Sequence, residues 1–326
     1  MGERESKDDG APFGTIQQAA SRGRIETIKV LLEGGADPDE VDQCGWGPLH
    51  FAADKGHWNI ARLLLEKGAT PGLVNGSSDR FTGKSTYPIL VAAAREYLPM
   101  LRLLLGAKVR TTVTDVHGRT PVHLAVKQGN LEICSLLLEH DAQHPLSGLS
   151  RIFGSKPAVL TKDTSDHFPL FYAVESGNSP MAELLLSSSA ASPKARDWHK
   201  KRLFHEAVKS GNVEMVEIFL RNGAPVNLRG QDSTSALHIA AYEGDVNMTR
   251  LLLEWGASTT RKDGGLSTPE KVSRNAEVTM ILKNQNQNPR GLKETKQKPK
   301  PSTKGVSVPP PEYSAPAESM ASRLKT

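Results

Sequence analysis

Residues 47–57 read GPLHFAADKGH, and residues 120–130 read TPVHLAVKQGN. Three further segments, FPLFYAVESGN (168–178), RLFHEAVKSGN (202–212) and SALHIAAYEGD (235–245), align with them without a gap. The proline in second place, Pro48 or Pro121, suits the first turn of a helix, where no backbone donor is required. Leu49, Ala52 and Ala53 then mark one face of a short helix. Eight residues after the proline position comes glycine, as Gly23, Gly56, Gly129, Gly177, Gly211 and Gly244. There the chain is expected to leave the helix through the left-handed region, which glycine enters at least cost. A second helix follows, with apolar residues at helical spacing in NIARLLLEKGA (59–69) and VNMTRLLLEWGA (246–257).

Taking the proline position as an anchor gives Thr15, Pro48, Pro88, Pro121, Pro169, Leu203, Ala236 and Pro269, at spacings of 33, 40, 33, 48, 34, 33 and 33 residues. Neither helix of a unit could bury its apolar face alone, so the units must stack into one continuous core. A T-P-L-H-x-A core at this period resembles the ankyrin repeat, over about residues 12–284. The resemblance implies an all-α solenoid of helix-turn-helix units, with β-hairpin fingers bordering a concave surface formed by the first helices. Units are expected near 12–44, 45–84, 85–117, 118–165, 166–199, 200–232 and 233–265, with a cap at 266–284. GTIQQAASRG at the start and STPEKVSRNAEV at the end depart from the motif in the polar direction expected of capping units. The third unit is irregular: Glu96 stands where glycine is expected, and LRLLLGA (101–107) ends its second helix two residues early. Strain or a bend is expected there.

The 326 residues are 37% apolar, enough for a buried core, with no run near the roughly 20 apolar residues of a membrane span. The N-terminus MGERESKDDG has no apolar stretch like that of a signal peptide. It matches a myristoylation pattern, but an acidic residue directly after Gly2 speaks against use of the pattern. Cys44 and Cys134 are the only cysteines, which excludes a disulfide framework and a thiolate zinc site and points to the cytoplasm or nucleus. From Gln285 onward eight basic residues face three acidic ones, which accounts for the whole net charge of +5. The body is neutral, so nucleic-acid binding by the solenoid is not expected. Residues 1–11 and the Pro- and Lys-rich stretch 285–326 are expected to be disordered, because they lack the apolar content to offset ordering entropy.

Several features resemble chemistry. The stretch NGSSDRFTGKST (75–86) ends like a phosphate-binding loop, but position 78 is Ser78 where the leading glycine belongs, and Pro88 restarts a first helix three residues after Ser85. His50, His123, His205 and His238 recur two residues after the anchor, one or more units apart. Stacked helices stand about 8–10 Å apart, so two such rings cannot share one zinc at about 2 Å. Leu90 and Phe171 hold the same place, which a shared ligand role would not survive. The resemblance assigns these histidines to hydrogen bonding within and between units. The carboxylates Asp37, Asp39, Glu40 and Asp42 read as a solvated finger. Neither a catalytic residue, a cofactor nor a metal is expected.

Binding is expected instead. The seven extra residues behind the 40-residue spacing all lie between Ala69 and Pro88, and the fifteen behind the 48-residue spacing lie within 143–166. Both enlarge a finger, and insertions in repeat proteins map to loops on one face, often the binding face. Trp46, Phe81, Phe153 and Trp198 sit in the fingers as candidate aromatic anchors, with Arg80 and Lys84 beside Phe81. The exposed first-helix positions add Arg95, Lys127 and Tyr242. Units two to five are the expected working face. In the tail, Pro310, Pro311 and Tyr313 form P-P-x-Y, which resembles the ligand of WW domains. The expected function is a monomeric, non-enzymatic scaffold or regulator binding a protein partner. Its alternatives are an adaptor to a WW-containing ubiquitin ligase, a transcriptional coregulator and, least favoured, a nucleotide-dependent enzyme.

Overall fold

The computed structural model describes residues 14–72, 86–144, 157–188 and 198–287, all within one compact unit, Met1–Glu294. First and second helices alternate along the chain. They are α1 (Ile16–Ser21), α2 (Ile25–Glu33), α3 (Pro48–Lys55), α4 (Trp58–Glu66), α5 (Pro88–Ala94), α6 (Leu98–Gly106), α7 (Pro121–Gln128) and α8 (Leu131–Gln143). The series continues with α9 (Pro169–Glu175), α10 (Ser179–Ser187), α11 (Trp198–Lys209), α12 (Val213–Arg221), α13 (Ala236–Glu243), α14 (Val246–Glu254), α15 (Pro269–Val272) and α16 (Ala276–Gln287). Each first helix packs on its own second helix and on the first helices of adjacent units, and the second helices form a parallel row.

Side-chain size follows from this stacking. Four residues past every anchor from Thr15 to Ala236 stands alanine: Ala19, Ala52, Ala92, Ala125, Ala173, Ala207 and Ala240, all fully buried. A first helix has neighbours on both sides, and only a methyl group fits between backbones that close. The second helices supply the bulk, with Leu64, Leu104, Leu137, Leu185, Phe219 and Leu252 at one shared position, each buried. Removing such a side chain from water contributes about 1.5–3 kcal/mol.

The connections hold through polar contacts. Asn212 accepts from Met215 N at 2.9 Å, capping α12, and its amide reaches back to Gly177 O of the previous unit at 3.4 Å. Asn275 makes the same return contact to Gly244 O at 3.0 Å. Gly244 has φ +73°, and an added Cβ would sit 3.1 Å from Asn275 Cβ, so both conformation and space require glycine.

The third unit corrects one expectation. Helix α6 runs nine residues, as do α4 and α14, so it does not end early. Val109, not Ala107, is the equivalent of Ala69, and Lys108 takes the left-handed place of Gly68 at φ +60°. Glu96 likewise adopts φ +60° in place of glycine and is held by Asn130, whose amide donates to it at 2.8 Å. The irregularity is thus two non-glycine residues in a costly conformation within a helix pair of ordinary length.

The fingers also differ from expectation. Among the described residues the only β pairing is an isolated bridge between Arg229 and Ser235. Four fingers instead end in a five-residue turn closed by aspartate, and the finger of unit six closes on Gly230 N–H to Thr234 O. Asp42 accepts from Cys44 N at 2.9 Å and Trp46 N at 2.8 Å, while its own N–H donates to Trp46 O at 3.0 Å. Asp115, Asp163 and Asp263 repeat the pattern. A side chain that satisfies two backbone donors makes a turn with no partner strand.

Trp198 is a further correction: it opens helix α11 and does not stand in a finger, and the expected boundary at 199/200 falls inside that helix. Most first helices start at a proline, which keeps the residue before it extended, as at Gly47, Thr120 and Phe168. Leu203 imposes no such stop, so α11 begins before it.

Candidate interaction surface

On each first helix, residues three, six and seven past the anchor share one face. The third position reads Phe51, Val91, Leu124 and Tyr172 across units two to five, with the exposed polar Gln18 before the run and Glu206 after it. Val91 and Leu124 are 9% and 8% exposed, whereas Phe51 and Tyr172 at the two ends are half-buried. The result is an apolar strip four units long, with an aromatic side chain at each end.

One edge of the strip is cationic. Arg95 reaches across a unit boundary to Asp54, with Nη2 at 2.7 Å and Nε at 2.9 Å from Oδ1, and Lys55 Nζ meets Oδ2 at 2.8 Å. Burial pushes the Asp54 carboxyl up, but hydrogen bonds from Lys55 and Arg95 outweigh it and leave the group below the usual carboxylate value. Lys127 Nζ lies 5.9 Å from the ring centre of Tyr172 in the next unit, and Gln128 Nε2 donates to Ala94 O at 2.6 Å.

The opposite edge is made by the ends of the fingers. Trp46 packs on Phe51 at 5.3 Å and on His50 at 5.7 Å between ring centres. At unit five, His167 stacks on Phe171 at 3.6 Å with planes 2° apart, and Tyr172 stands edge-on to both. Tyr172 OH donates to Asp163 Oδ2 at 2.5 Å. Burial, then this hydrogen bond and the Asp163 charge, push the phenol to about 12. Burial also raises Asp163, but the Tyr172 hydroxyl and the backbone N–H groups of His167 and Ser165 outweigh it, so its carboxyl is held low.

The repeated histidines fix the height of this edge. His123 Nδ1 accepts from Thr120 N at 3.1 Å, and its Nε2–H donates to His167 O of the next finger at 3.2 Å. His50 bridges Gly47 N and Thr86 O, and His238 bridges Ser235 N and Ser267 O. Burial lowers the pKa of His50 and of His123, keeping the Nδ1 lone pair available. Among the described residues no group of three His, Cys, Asp or Glu side chains could hold a metal. An open cleft of about 550 Å³ lies beside the third finger, lined by Tyr87, Arg110 and residues 112–116.

Of the residues singled out from sequence, Arg95 and Lys127 lie on one edge of the strip and Trp46 on the other, within units two to four. Tyr242 stands on the same helix face in unit seven, 44% exposed, with the Arg274 guanidinium 3.7 Å over its ring. Trp198 opens α11, and Arg80, Phe81, Lys84, Phe153, Pro310, Pro311 and Tyr313 lie outside the described residues. Phe51, Leu124, Phe171 and Tyr172 were missed. The signal that finds Phe51, Leu124 and Tyr172 is the third position after each anchor, read down the units as a column, while Phe171 stands one place earlier, in the histidine column.

A family model described as ankyrin repeats matches residues 16–109, 73–147, 89–197 and 170–263. Rat cyclin-dependent kinase 4 inhibitor B is 38% identical over 130 residues, which is 39% of this chain and 93% of that protein. The mouse B-cell lymphoma 3 protein homolog is 28% identical over 196 residues, 60% of this chain and 41% of that one. A crystal structure of the ankyrin repeat domain of Bcl-3, a member of the IkappaB protein family, aligns with 85% of this chain and all of its own at 23% identity and a TM-score of 0.47.

Proposed function

Because the chain belongs to the ankyrin-repeat family, we propose that it is a non-enzymatic regulator that holds a protein partner on the first-helix face of units two to five. The observation that carries this reading is the apolar strip Phe51, Val91, Leu124 and Tyr172, bounded by polar side chains at both ends. Aromatic side chains in partly desolvated positions are the usual energetic anchors of protein interfaces. The relatives share the theme in their names: one is an inhibitor of a kinase, and another, from human, is protein phosphatase 1 regulatory subunit 27. Exchanging Phe51 and Tyr172 together for alanine is expected to abolish capture of the main partner from a lysate while leaving the melting transition cooperative. Unchanged capture would sink the assignment of this face.

The tail supports an adaptor version, in which Pro310, Pro311 and Tyr313 recruit a WW-domain protein while the array holds a client. A chain ending after Gln287, where the last helix stops, separates array partners from tail partners. Tyr313→Ala leaving every tail-dependent interaction intact would remove this version. The cytoplasm or nucleus suits the two free thiols, the protein acts as a monomer in this reading, and no helix among the described residues is long and apolar enough to cross a membrane.

A further inference from the structure

Resting on the interaction face just proposed, we infer that its occupant is an acidic segment of a partner protein, bound extended across units two to five. Two spacings lead to the conformation. Stacked helices repeat at about 8–10 Å, and an extended chain rises about 3.3 Å per residue, so every third residue of such a segment meets the next unit. A helix would advance only 1.5 Å per residue and would present one side chain to each unit about every seventh position. Successive units offer successive cations, Lys55, Arg95 and Lys127, which an extended segment meets with closely spaced carboxylates.

The charge on this edge is not internally cancelled over units two to four. Asp54 is already engaged by both Lys55 and Arg95, and Glu96 is turned to the Asn130 amide. Lys127 has no carboxylate partner among the described residues; its ammonium lies over the Tyr172 ring. In unit five the edge changes sign at the exposed Glu175, while the floor becomes the aromatic group Phe171, Tyr172 and His167. The complementary segment therefore carries acidic residues at three successive every-third positions and a bulky apolar residue just beyond them. From Gln285 onward the chain carries a net charge of +5, the same sign as Lys55, Arg95 and Lys127, and offers them no charge complement. One exposed cation per unit is also sparse beside the phosphate spacing of nucleic acid, about 1.7 Å per charge in duplex DNA.

The test uses the full chain and fluorescein-labelled peptides of about 12 residues, the length that spans four units at about 3.3 Å per residue. The first carries Glu at every third position and Leu, Ser and a terminal Trp elsewhere; the second has Gln for Glu, and the third Lys for Glu. A thymidine oligonucleotide of equal length is the nucleic-acid arm. Anisotropy at about 0.15 M salt should favour the Glu peptide over the Gln peptide by about tenfold, and that preference should shrink as salt rises. The pair Arg95→Glu and Lys127→Glu should abolish the preference and favour the Lys peptide. Lys127→Glu alone, which breaks no ion pair, should lower the preference in a chain whose melting is unchanged. Equal binding of the Glu and Gln peptides, both weakened by Phe51→Ala with Tyr172→Ala, would overturn the acidic occupant and leave the interaction face standing. Binding indifferent to those alanines removes both readings. Oligonucleotide binding lost with Arg95→Glu and Lys127→Glu, or no binding of the Glu peptide at about 1 mM, a free energy near −4 kcal/mol, also overturns the proposal.

Discussion

Replacing His123 by leucine separates the two roles of a buried imidazole, bridging two units and staying neutral. Leucine fits the shape, because Leu90 fills the equivalent slot of the third unit at 2% exposure. What is lost is the acceptor for Thr120 N–H at 3.1 Å and the donor to His167 O at 3.2 Å. Each bond contributes about 1 kcal/mol net, and a buried donor left without a partner costs about 1–3 kcal/mol. The variant should therefore be about 2–4 kcal/mol less stable at pH 7.5, by urea unfolding followed by circular dichroism with matched urea slopes. The pH dependence then sharpens the test. Burial holds the folded pKa of His123 below its usual 6.5, so below pH 6.5 the unfolded chain binds more protons. Its contribution is complete above pH 6.5 and falls as the pH drops toward the folded value, by up to about 1.4 kcal/mol per pH unit. His50 and His140 are also lowered by burial and act in the same direction, so the wild type loses three such contributions and the variant two. The stability gap between the two proteins should thus narrow between pH 7.5 and about pH 5.5. A gap that stays constant or widens over that range would refute the reasoning.

Lys108→Gly relieves a left-handed residue at φ +60° in open surroundings and should raise stability by about 0.5–1 kcal/mol, read as a higher melting temperature. Alkaline difference absorbance should show one tyrosine ionising near 12, well after the ordinary value of 10, and Tyr172→Phe should remove that last step. Since this group is raised, its stabilisation is present below pH 10 and is lost as pH rises through about 12. A thiol reagent should modify the exposed Cys44 at once and Cys134 only on unfolding, because burial pushes the Cys134 thiol to about 12. Rapid modification of both thiols in the folded chain would contradict the packing of α8.

The fold was legible because its rules are local and repeated. A proline or threonine opening, an alanine pair and a glycine eight residues on each specify a helix start, a close approach and a left-handed exit. The same counting located α5 and α6, yet the small residue Ala107, which caps α6, was mistaken for the equivalent of Ala69. Here chemistry misled and position would not have, since Val109 stands 21 residues past Pro88, as Ala69 does past Pro48. The finger aspartates were read as solvated charge because their function is toward their own backbone, a use that composition does not reveal. The pattern D-x-x-G-x at Asp42 and Asp115 does reveal it once the units are aligned. The interaction strip was half legible: Arg95 and Lys127 are conspicuous as charges, but Phe51 and Tyr172 look like core until the helix face is known.

The histidine bridges also decide where the array would part under tension. They tie the finger edges of units two to three, four to five and seven to eight. Leu90 and Phe171 supply no such rivet at the third-to-fourth and fifth-to-sixth joints. At the first of these joints the polar ties are made elsewhere, by Gln128 to Ala94 and Asn130 to Glu96 at the ends of the first helices, by Arg102 to Glu132 between second helices, and by Thr111 to Asp141. Pulled lengthwise, these are two joints whose finger edges no histidine holds shut. A ligand laid across units two to five would span the first of them and act as a splint.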